Sequence, residues 1–170
     1  MEIHYYDPVR APKEVEESLQ LTYHENLEEV LAIADCINIS VPLMPQTRHL
    51  INRETIAKMK DGVRIVNTAR GQVVDEEAII EGLKSGKIFS AGLDVHPNEP
   101  NVRSFREWLI QINPALIEME NVTLLPHIGG VAVETHESFE ILCMNNITNV
   151  LSGKPPITPI NSKFVESSKH

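Results

Sequence analysis

Short apolar runs that are typical of buried β-strands alternate with helix-forming segments along this chain. The runs at residues 36–41, 63–66, 88–95 and 122–125 are separated by segments that carry helix-capping residues or helically spaced apolar residues. A strand lies parallel to its predecessor only if the chain crosses back over the sheet, usually as a helix. The alternation therefore predicts an α/β fold with a doubly wound parallel sheet.

The remaining local signals predict further elements around this pattern. They indicate a strand over residues 1–7 and helices over residues 13–19, 26–34, 52–59, 75–85 and about 134–151. Asn26, Asn52 and Asp75 are the expected N-cap residues of three of these helices. A further helical segment at 101–120 interrupts the alternation. We interpret it as a surface helix, with a lid or a partner-docking element as the alternative.

Three chemically active side chains follow the apolar runs, each at the start of a turn. They are Arg70, Glu99 and His127. Because ligands bind outside the carboxyl ends of parallel strands, we expect the three to share one edge of the sheet. Arginine can hold a carboxylate with two parallel hydrogen bonds, histidine can transfer a proton near neutral pH, and a carboxylate can orient the histidine. The set indicates a site that transfers protons on a substrate with a carboxylate group.

The motifs around these residues resemble those of the D-isomer-specific 2-hydroxyacid dehydrogenases. The similar segments are Val66-Asn67-Thr68-Ala69-Arg70-Gly71, Gly92-Leu93-Asp94-Val95-His96-Pro97-Asn98-Glu99-Pro100 and Leu125-Pro126-His127-Ile128-Gly129-Gly130. The resemblance extends from Tyr5 to about Asn161. It implies reduction of 2-oxo acids to D-2-hydroxy acids with a nicotinamide cofactor. Arg70 would bind the substrate, Glu99 would be the partner of the histidine, and His127 would be the acid and base; a surface arginine and a core histidine are the structural alternatives.

The same resemblance implies a set of cofactor-binding residues. Asp7 would bind the ribose hydroxyls and repel a 2′-phosphate, which favours NAD, although the nearby Arg10 leaves NADP open. The other residues implied to contact the cofactor are Val41, Pro42, Thr47, Thr68, Asp94, His127, Gly129 and Gly130. The structural alternatives are a turn aspartate at Asp7, strand termination at Pro42 and a structural cap at Asp94.

One expected motif is absent from the sequence. A complete dinucleotide-binding domain begins with a strand and a Gly-x-Gly-x-x-Gly turn that binds the pyrophosphate, and the chain contains no such turn. By the resemblance, residues 1–7 correspond to the second strand of the family. We therefore expect a Rossmann-like doubly wound parallel sheet that lacks its first strand and glycine-rich turn. Residues 1–152 are predicted to be a partial NAD-binding domain, and residues 153–170 a C-terminal tail towards an absent substrate domain.

Composition argues against several other classes of function. The net charge of −9 disfavours a nucleic-acid partner, because phosphate binding requires a basic surface. The sequence has no run of 18 apolar residues and no signal peptide, so we expect no membrane span and a cytoplasmic location. Cys36 and Cys143 lie in apolar segments and are expected to be buried thiols, not a disulfide. No cysteine and histidine cluster has metal-ligand spacing, so no metal is expected.

Three interpretations of function are open at this point. The first is part of an enzyme that acts on a small 2-oxo or 2-hydroxy acid, with glyoxylate or hydroxypyruvate preferred, negligible activity of the isolated chain, and a homodimer as the intact protein. Formate dehydrogenases resemble this family but carry glutamine beside the histidine, so Glu99 disfavours them. The second is a non-enzymatic, NAD-linked binding module similar to the C-terminal-binding-protein corepressors. The third is an unproductive fragment.

Overall fold

The computed structural model describes residues 1–97, 99 and 112–159. The chain divides into two compact units, Met1–Ile128 and Gly129–His170. The first unit carries the β-sheets. The described part of the second unit contains one long helix, α6 (Val133–Leu151), together with the turns on either side of it.

The first unit follows the order of elements that is typical of α/β proteins. Its described strands are β1 (Ile3–Tyr5), β2 (Leu21–Tyr23), β3 (Cys36–Ile39), β4 (Val63–Asn67), β5 (Ile88–Leu93) and β6 (Val122–Leu124). Its described helices are α1 (Lys13–Leu19), α2 (Leu27–Ile33), α3 (Arg53–Ala57), α4 (Glu76–Ser85) and α5 (Pro114–Ile117), and Gly71–Val73 form a 3-10 turn.

All paired strands run parallel. One sheet has the order β3-β4-β5-β6, and β1 pairs with β2 in a separate two-stranded sheet. The arrangement confirms the predicted α/β fold with a parallel sheet. Among the described residues no strand joins the two sheets, as expected for a Rossmann-like sheet without its first strand.

The core of the first unit is built around the four-stranded sheet. Ile65 on β4 and Ile88 on β5 are at most 1% exposed, and Leu31, Ile79 and Leu116 from three helices belong to the same buried cluster. Buried residues alternate with exposed or partly exposed ones along β3 and β4, so one face of each of these strands packs into the core. Burial of this core therefore holds the carboxyl ends of β4, β5 and β6 in place.

Helix α4 begins and ends where the sequence predicts. The side chain of Asp75 accepts hydrogen bonds from the backbone of Glu77 and Ala78, and Gly86 ends the helix in the left-handed conformation with φ of 79°. Asn52 likewise caps α3. These caps set where the chain leaves each strand edge and returns to it.

Some local predictions are wrong. Strand β2 was not foreseen, because it is three residues long and contains no fully buried side chain. The strand predicted over 36–41 ends at Ile39. Asn26 does not cap α2 with its side chain, since its amide nitrogen donates instead to Oε1 of Glu29. The segment predicted at 101–120 lies mostly outside the described residues, which resume at Ile112.

The prediction that the two cysteines are buried is also wrong. Cys36 and Cys143 are both exposed, free thiols. Within the four-stranded sheet β3 is an edge strand, and its residues alternate between exposed and buried, with Cys36 on the exposed face. Cys143 lies on α6, which has no buried residue.

Two further properties concern membranes and metals. No helix in the described ranges has the length and apolar character needed to cross a membrane. The same residues contain no group of three or more histidine, cysteine, aspartate or glutamate side chains that could hold a metal ion.

Candidate active site

The carboxyl ends of three neighbouring strands form the edge that carries the predicted site. Asn67, Leu93 and Leu124 lie side by side at the ends of β4, β5 and β6. The loops that follow them line a cavity of about 360 Å³, whose lining residues are Leu43, Arg70, Gly71, Gln72, His96, Pro97, Glu99 and His127. The structure thus brings Arg70, Glu99 and His127 to one cavity although they come from three separate loops.

Glu99 joins two parts of this cavity through its two carboxylate oxygens. Oε2 lies 2.9 Å from Nδ1 of His127, and Oε1 accepts a hydrogen bond of 2.7 Å from the backbone N–H of His96. An ionised carboxylate is only an acceptor, so Nδ1 must carry the proton in this pair. Nε2 is then the ring nitrogen that can exchange a proton with a bound molecule. The Glu99 side chain is 15% exposed and that of His127 is 48% exposed.

The backbone of His127 adopts an unusual conformation. Its φ is 57°, in the left-handed region that few residues other than glycine occupy. Two hydrogen bonds of 2.8 Å hold this turn: the N–H of His127 donates to the carbonyl oxygen of Asp94, and the N–H of Ile128 donates to Oδ1 of Asp94. Backbone strain of this kind persists only where the surroundings impose it, and it is common at functional sites.

Asp94 therefore has a structural contact in addition to the cofactor contact expected from the sequence. The residue is 5% exposed and directly follows β5, and its carboxylate accepts from the loop that carries the histidine. A buried carboxylate is stable only with hydrogen-bond partners of this kind. A structural cap is one of the alternatives that the sequence leaves open at this position, but the loop that Asp94 holds is determined only by the fold.

Arg70 is presented by a turn that Asn67 organises. The fully buried Asn67 accepts a hydrogen bond from the N–H of Ala69 at Oδ1 and donates from Nδ2 to the carbonyl oxygen of Arg70. The Arg70 guanidinium donates from Nη1 to the carbonyl oxygen of Ala69 at 2.6 Å, and the residue is exposed. Asn67 lies in the first sequence motif, where no role was predicted for it. A polar amide side chain at the end of a strand was the sequence signal that could have identified it.

The turn after Arg70 packs directly against the loop that leads to Glu99. A Cβ atom built on Gly71 would lie 2.1 Å from the carbonyl carbon of His96, which is far too close. Next to it, Nε2 of Gln72 donates to the carbonyl oxygen of Pro97 at 3.1 Å. Only glycine allows this approach of two backbones. The contact couples the position of Arg70 to that of Glu99.

His96 is a buried histidine at the wall of the cavity. It is 5% exposed, and its Nε2 lies 3.1 Å from the carbonyl oxygen of Leu125. Burial lowers the pKa of His96 from its ordinary value, so the ring is neutral at pH 7. The residue thus packs inside the protein and also lies beside the catalytic candidates.

Five of the other residues predicted to bind the cofactor follow strands of the first unit. Asp7 follows β1, is exposed, and accepts a hydrogen bond from the N–H of Val9 at Oδ1. Thr68 follows β4 and is exposed. Val41, Pro42 and Thr47 follow β3 in a compact turn, in which Oγ1 of Thr47 donates to the carbonyl oxygen of Pro42 at 2.6 Å. Gly129 and Gly130 follow His127 in the sequence and open the second unit.

The fold and the site together define a class of protein. A parallel α/β sheet whose carboxyl edge carries an arginine and a glutamate–histidine pair is typical of dinucleotide-binding folds, and such a pair has the chemistry needed for proton transfer. Residues 1–129 match the family model described as "D-isomer specific 2-hydroxyacid dehydrogenase, NAD binding domain". The chain therefore belongs to the D-isomer-specific 2-hydroxyacid dehydrogenase family. The expected family and the expected nicotinamide cofactor are confirmed at this level.

Named relatives agree with the family. Glyoxylate reductase 1 of Saccharomyces cerevisiae is 45% identical over 151 residues, which are 88% of this chain and 39% of that protein. Hydroxypyruvate reductase of Thermotoga maritima is 42% identical over 147 residues, 86% of this chain and 44% of that protein. The solved apo structure of D-mandelate dehydrogenase from Rhodotorula graminis has a TM-score of 0.83 and 48% identity, and the match covers 95% of this chain and 44% of that one. The chain thus spans less than half the length of these relatives.

Proposed function

We propose that this chain belongs to an oxidoreductase that interconverts 2-oxo acids and D-2-hydroxy acids with NAD. The observation that carries the proposal is the 2.9 Å contact between Glu99 Oε2 and His127 Nδ1, in the same cavity as Arg70. In this proposal residues 1–152 act as the part of the NAD-binding domain present here, and residues 153–170 lead towards a substrate domain. Bound NAD would supply or accept the hydride.

The three candidate residues divide the remaining chemistry between them. The guanidinium of Arg70 binds the substrate carboxylate through two parallel hydrogen bonds, which orient the neighbouring carbonyl group. His127 donates a proton from Nε2 to the carbonyl oxygen during reduction and accepts it back during oxidation. Glu99 holds the proton on Nδ1 and stabilises the charged imidazole. Negative charge that develops on the substrate oxygen is thereby neutralised as it forms.

We assign each predicted cofactor contact from the position of the residue in the fold and from its chemistry. The Asp7 carboxylate would accept from the ribose hydroxyls, because it is an exposed acceptor at the end of β1. Val41, Pro42 and Thr47 would contact the adenosine and phosphate portion. The contacts nearer the nicotinamide would come from Thr68, Asp94, His127, Gly129 and Gly130. The chemistry of these residues suits the adenosine end and the nicotinamide end of the dinucleotide. The sequence carries no glycine-rich turn for the pyrophosphate between them.

Glyoxylate or hydroxypyruvate is the substrate that we propose first. The names of the relatives from yeast and Thermotoga maritima support this choice. The similarity to a D-mandelate dehydrogenase makes an aromatic 2-oxo acid the main competitor. Within the cavity, Leu43 and Pro97 offer apolar side chains that could contact a substrate substituent.

The proposed setting of the protein is a homodimer in the cytoplasm. The free, exposed thiols of Cys36 and Cys143 suit a reducing compartment. Exposed apolar side chains on α6 suit burial in a subunit or domain contact, among them Phe139, Ile141 and Met144. Sedimentation of the full-length gene product measures its oligomeric state directly.

The proposal is tested by assaying the full-length gene product with NADH and a panel of 2-oxo acids. Glyoxylate, hydroxypyruvate, phenylglyoxylate and 4-methyl-2-oxopentanoate cover small, polar, aromatic and branched substituents. We expect NADH oxidation with at least one of them and a product of the D configuration wherever the product is chiral. NADH binding without turnover of any substrate would contradict the enzymatic proposal and favour the binding-module interpretation.

A further inference from the structure

An ion pair between Arg10 and the buried carboxylate of Glu16 lies close to Asp7, the residue proposed above to bind the cofactor ribose. Nε of Arg10 donates to Oε1 of Glu16, and Nη2 donates to Oε2, both at 2.8 Å. Two parallel bonds to one carboxylate use the geometry with which arginine would otherwise bind a phosphate. The Glu16 side chain is 8% exposed and that of Arg10 is 60% exposed, so the carboxylate is fixed and the guanidinium faces solvent.

Glu16 is held in place from a second direction. The hydroxyl of Tyr5 on β1 donates to Oε1 of Glu16 at 2.6 Å, and the same hydroxyl accepts the N–H of Ala11 at 2.9 Å. The hydrogen bond from Arg10, followed by that from Tyr5, lowers the pKa of Glu16 to about 2. The carboxylate is therefore ionised throughout the physiological range and remains a permanent partner for Arg10.

The guanidinium lies close to the proposed ribose site. It stacks over the ring of Tyr23, 4.9 Å from the ring centroid, and the hydroxyl of Tyr23 is 3.5 Å from the carbonyl oxygen of Asp7. One tyrosine ring thus separates the arginine from the backbone of Asp7. A 2′-phosphate on a ribose bound at Asp7 would come within reach of this exposed side chain.

We infer that Glu16 is a specificity-determining residue that excludes NADP by occupying Arg10. Two carboxylates then act against a 2′-phosphate. Asp7 repels the phosphate, and Glu16 already accepts the two parallel hydrogen bonds that the Arg10 guanidinium could otherwise donate to it. Arg10 left NADP open in the sequence, and its pairing with Glu16 favours NAD. It rests on the proposed function, because it assumes that the ribose binds at Asp7.

The test compares NADH and NADPH binding by the full-length gene product and its Glu16→Gln variant. Glutamine keeps the size of the side chain and an acceptor for Tyr5 but loses the charge that holds Arg10. We expect the ratio of the NADPH to the NADH dissociation constant to fall by about 10-fold or more, the effect of one charge-assisted hydrogen bond gained by the phosphate. NADH affinity should remain that of the parent.

Two further variants separate the role of Arg10 from a general effect of charge. Glu17→Gln removes the same charge from the same helix, at an exposed residue that pairs with Lys13, and should leave the ratio unchanged. Adding Arg10→Gln to Glu16→Gln should restore the ratio of the parent. In the parent background, Arg10→Gln should not weaken NADPH binding, which keeps the test decisive even if Glu16→Gln does not fold.

The outcomes distinguish the inference from the proposed function. If the parent binds NADH and Glu16→Gln leaves the ratio unchanged, or Glu17→Gln lowers it equally, the inference is wrong while the proposed function stands. The inference is also wrong if Arg10→Gln alone weakens NADPH binding, since Arg10 would already contact the phosphate. A parent that binds neither cofactor would overturn the proposed function and the inference together.

Discussion

Glu99 divides its carboxylate between a backbone amide and the imidazole of His127. Because Oε1 accepts from the N–H of His96, only Oε2 faces Nδ1 of the histidine. The orientation of the carboxylate is thus set by the main chain, and the ring nitrogen that carries the proton follows from it. The two contacts therefore determine which group an amide side chain at position 99 would present to His127.

Glu99→Gln is expected to place a donor opposite the histidine. The amide oxygen would stay on the N–H of His96, so the NH₂ group would face Nδ1 and disfavour the doubly protonated ring. Loss of one charge-assisted hydrogen bond corresponds to a fall of about 10- to 150-fold in the rate of reduction. The pH–rate profile for reduction should also move to lower pH.

Steady-state kinetics of the full-length gene product between pH 5 and 9 measure both effects. Glu118→Gln is the matched control, since Glu118 is exposed and follows α5. A Glu99→Gln profile that coincides with the parent's would remove Glu99 from its proposed partnership.

Arg70→Lys is expected to impair the enzyme despite the conserved charge. Lysine offers a point charge where the proposal requires a planar donor with two parallel N–H groups. We expect kcat/KM for a 2-oxo acid to fall by about 10- to 100-fold, with NADH binding unchanged. Arg53→Lys, at an exposed arginine that pairs with Glu81, is the control. Equal kinetics for Arg70→Lys and Arg53→Lys would make Arg70 an ordinary surface charge.

Gly71→Ala is expected to separate the two loops that build the cavity. The added Cβ would lie 2.1 Å from the carbonyl carbon of His96, so one backbone must move. Overpacking of this kind typically costs about 1–3 kcal/mol of the free energy of unfolding. At Gly92 the same substitution would place a Cβ 3.8 Å from Cγ2 of Val66, an ordinary contact. Chemical denaturation of both variants should show a markedly lower midpoint only for Gly71→Ala; similar midpoints would contradict the close approach.

The stability of the first unit should depend on pH through Glu16. Its pKa is about 2 in the folded protein against an ordinary 4.5, so its stabilising contribution is complete above pH 4.5 and is lost as the pH falls towards 2. The difference in free energy of unfolding between the parent and Glu16→Gln should therefore be constant from pH 7 to 4.5 and shrink below it. Thermal unfolding at stepped pH values measures this difference, with Glu17→Gln as reference. A difference that does not change between pH 5 and 2.5 would show that Glu16 is not held as an ion.

Sequence patterns predicted the parallel α/β fold because buried strands and capped helices leave local signals. The positions of Arg70, Glu99 and His127 at strand ends also followed from these signals. The left-handed backbone of His127 could not be predicted, since it depends on Asp94, which is far away in the sequence and adjacent only through the pairing of β5 with β6. The packing of Gly71 on His96 depends on the pairing of β4 with β5 in the same way.

The error at Cys36 has a related origin. An apolar run does not reveal whether its strand lies in the middle or at the edge of a sheet. The exposed thiol follows from the place of β3 at the edge of the four-stranded sheet, which only the order of strands determines.

In the proposed reaction, His127 transfers the proton to and from the oxygen of the 2-oxo acid. The most direct test is the turnover number of the full-length gene product and its His127→Ala variant, with NADH and the best 2-oxo acid of the panel, under conditions in which both bind NADH equally. We expect the turnover number to fall by about 10²- to 10⁴-fold in His127→Ala, the usual contribution of general acid catalysis. We expect no change in His136→Ala, at an exposed histidine of α6. A His127→Ala variant that turns over as fast as the parent would show that His127 is not the proton donor.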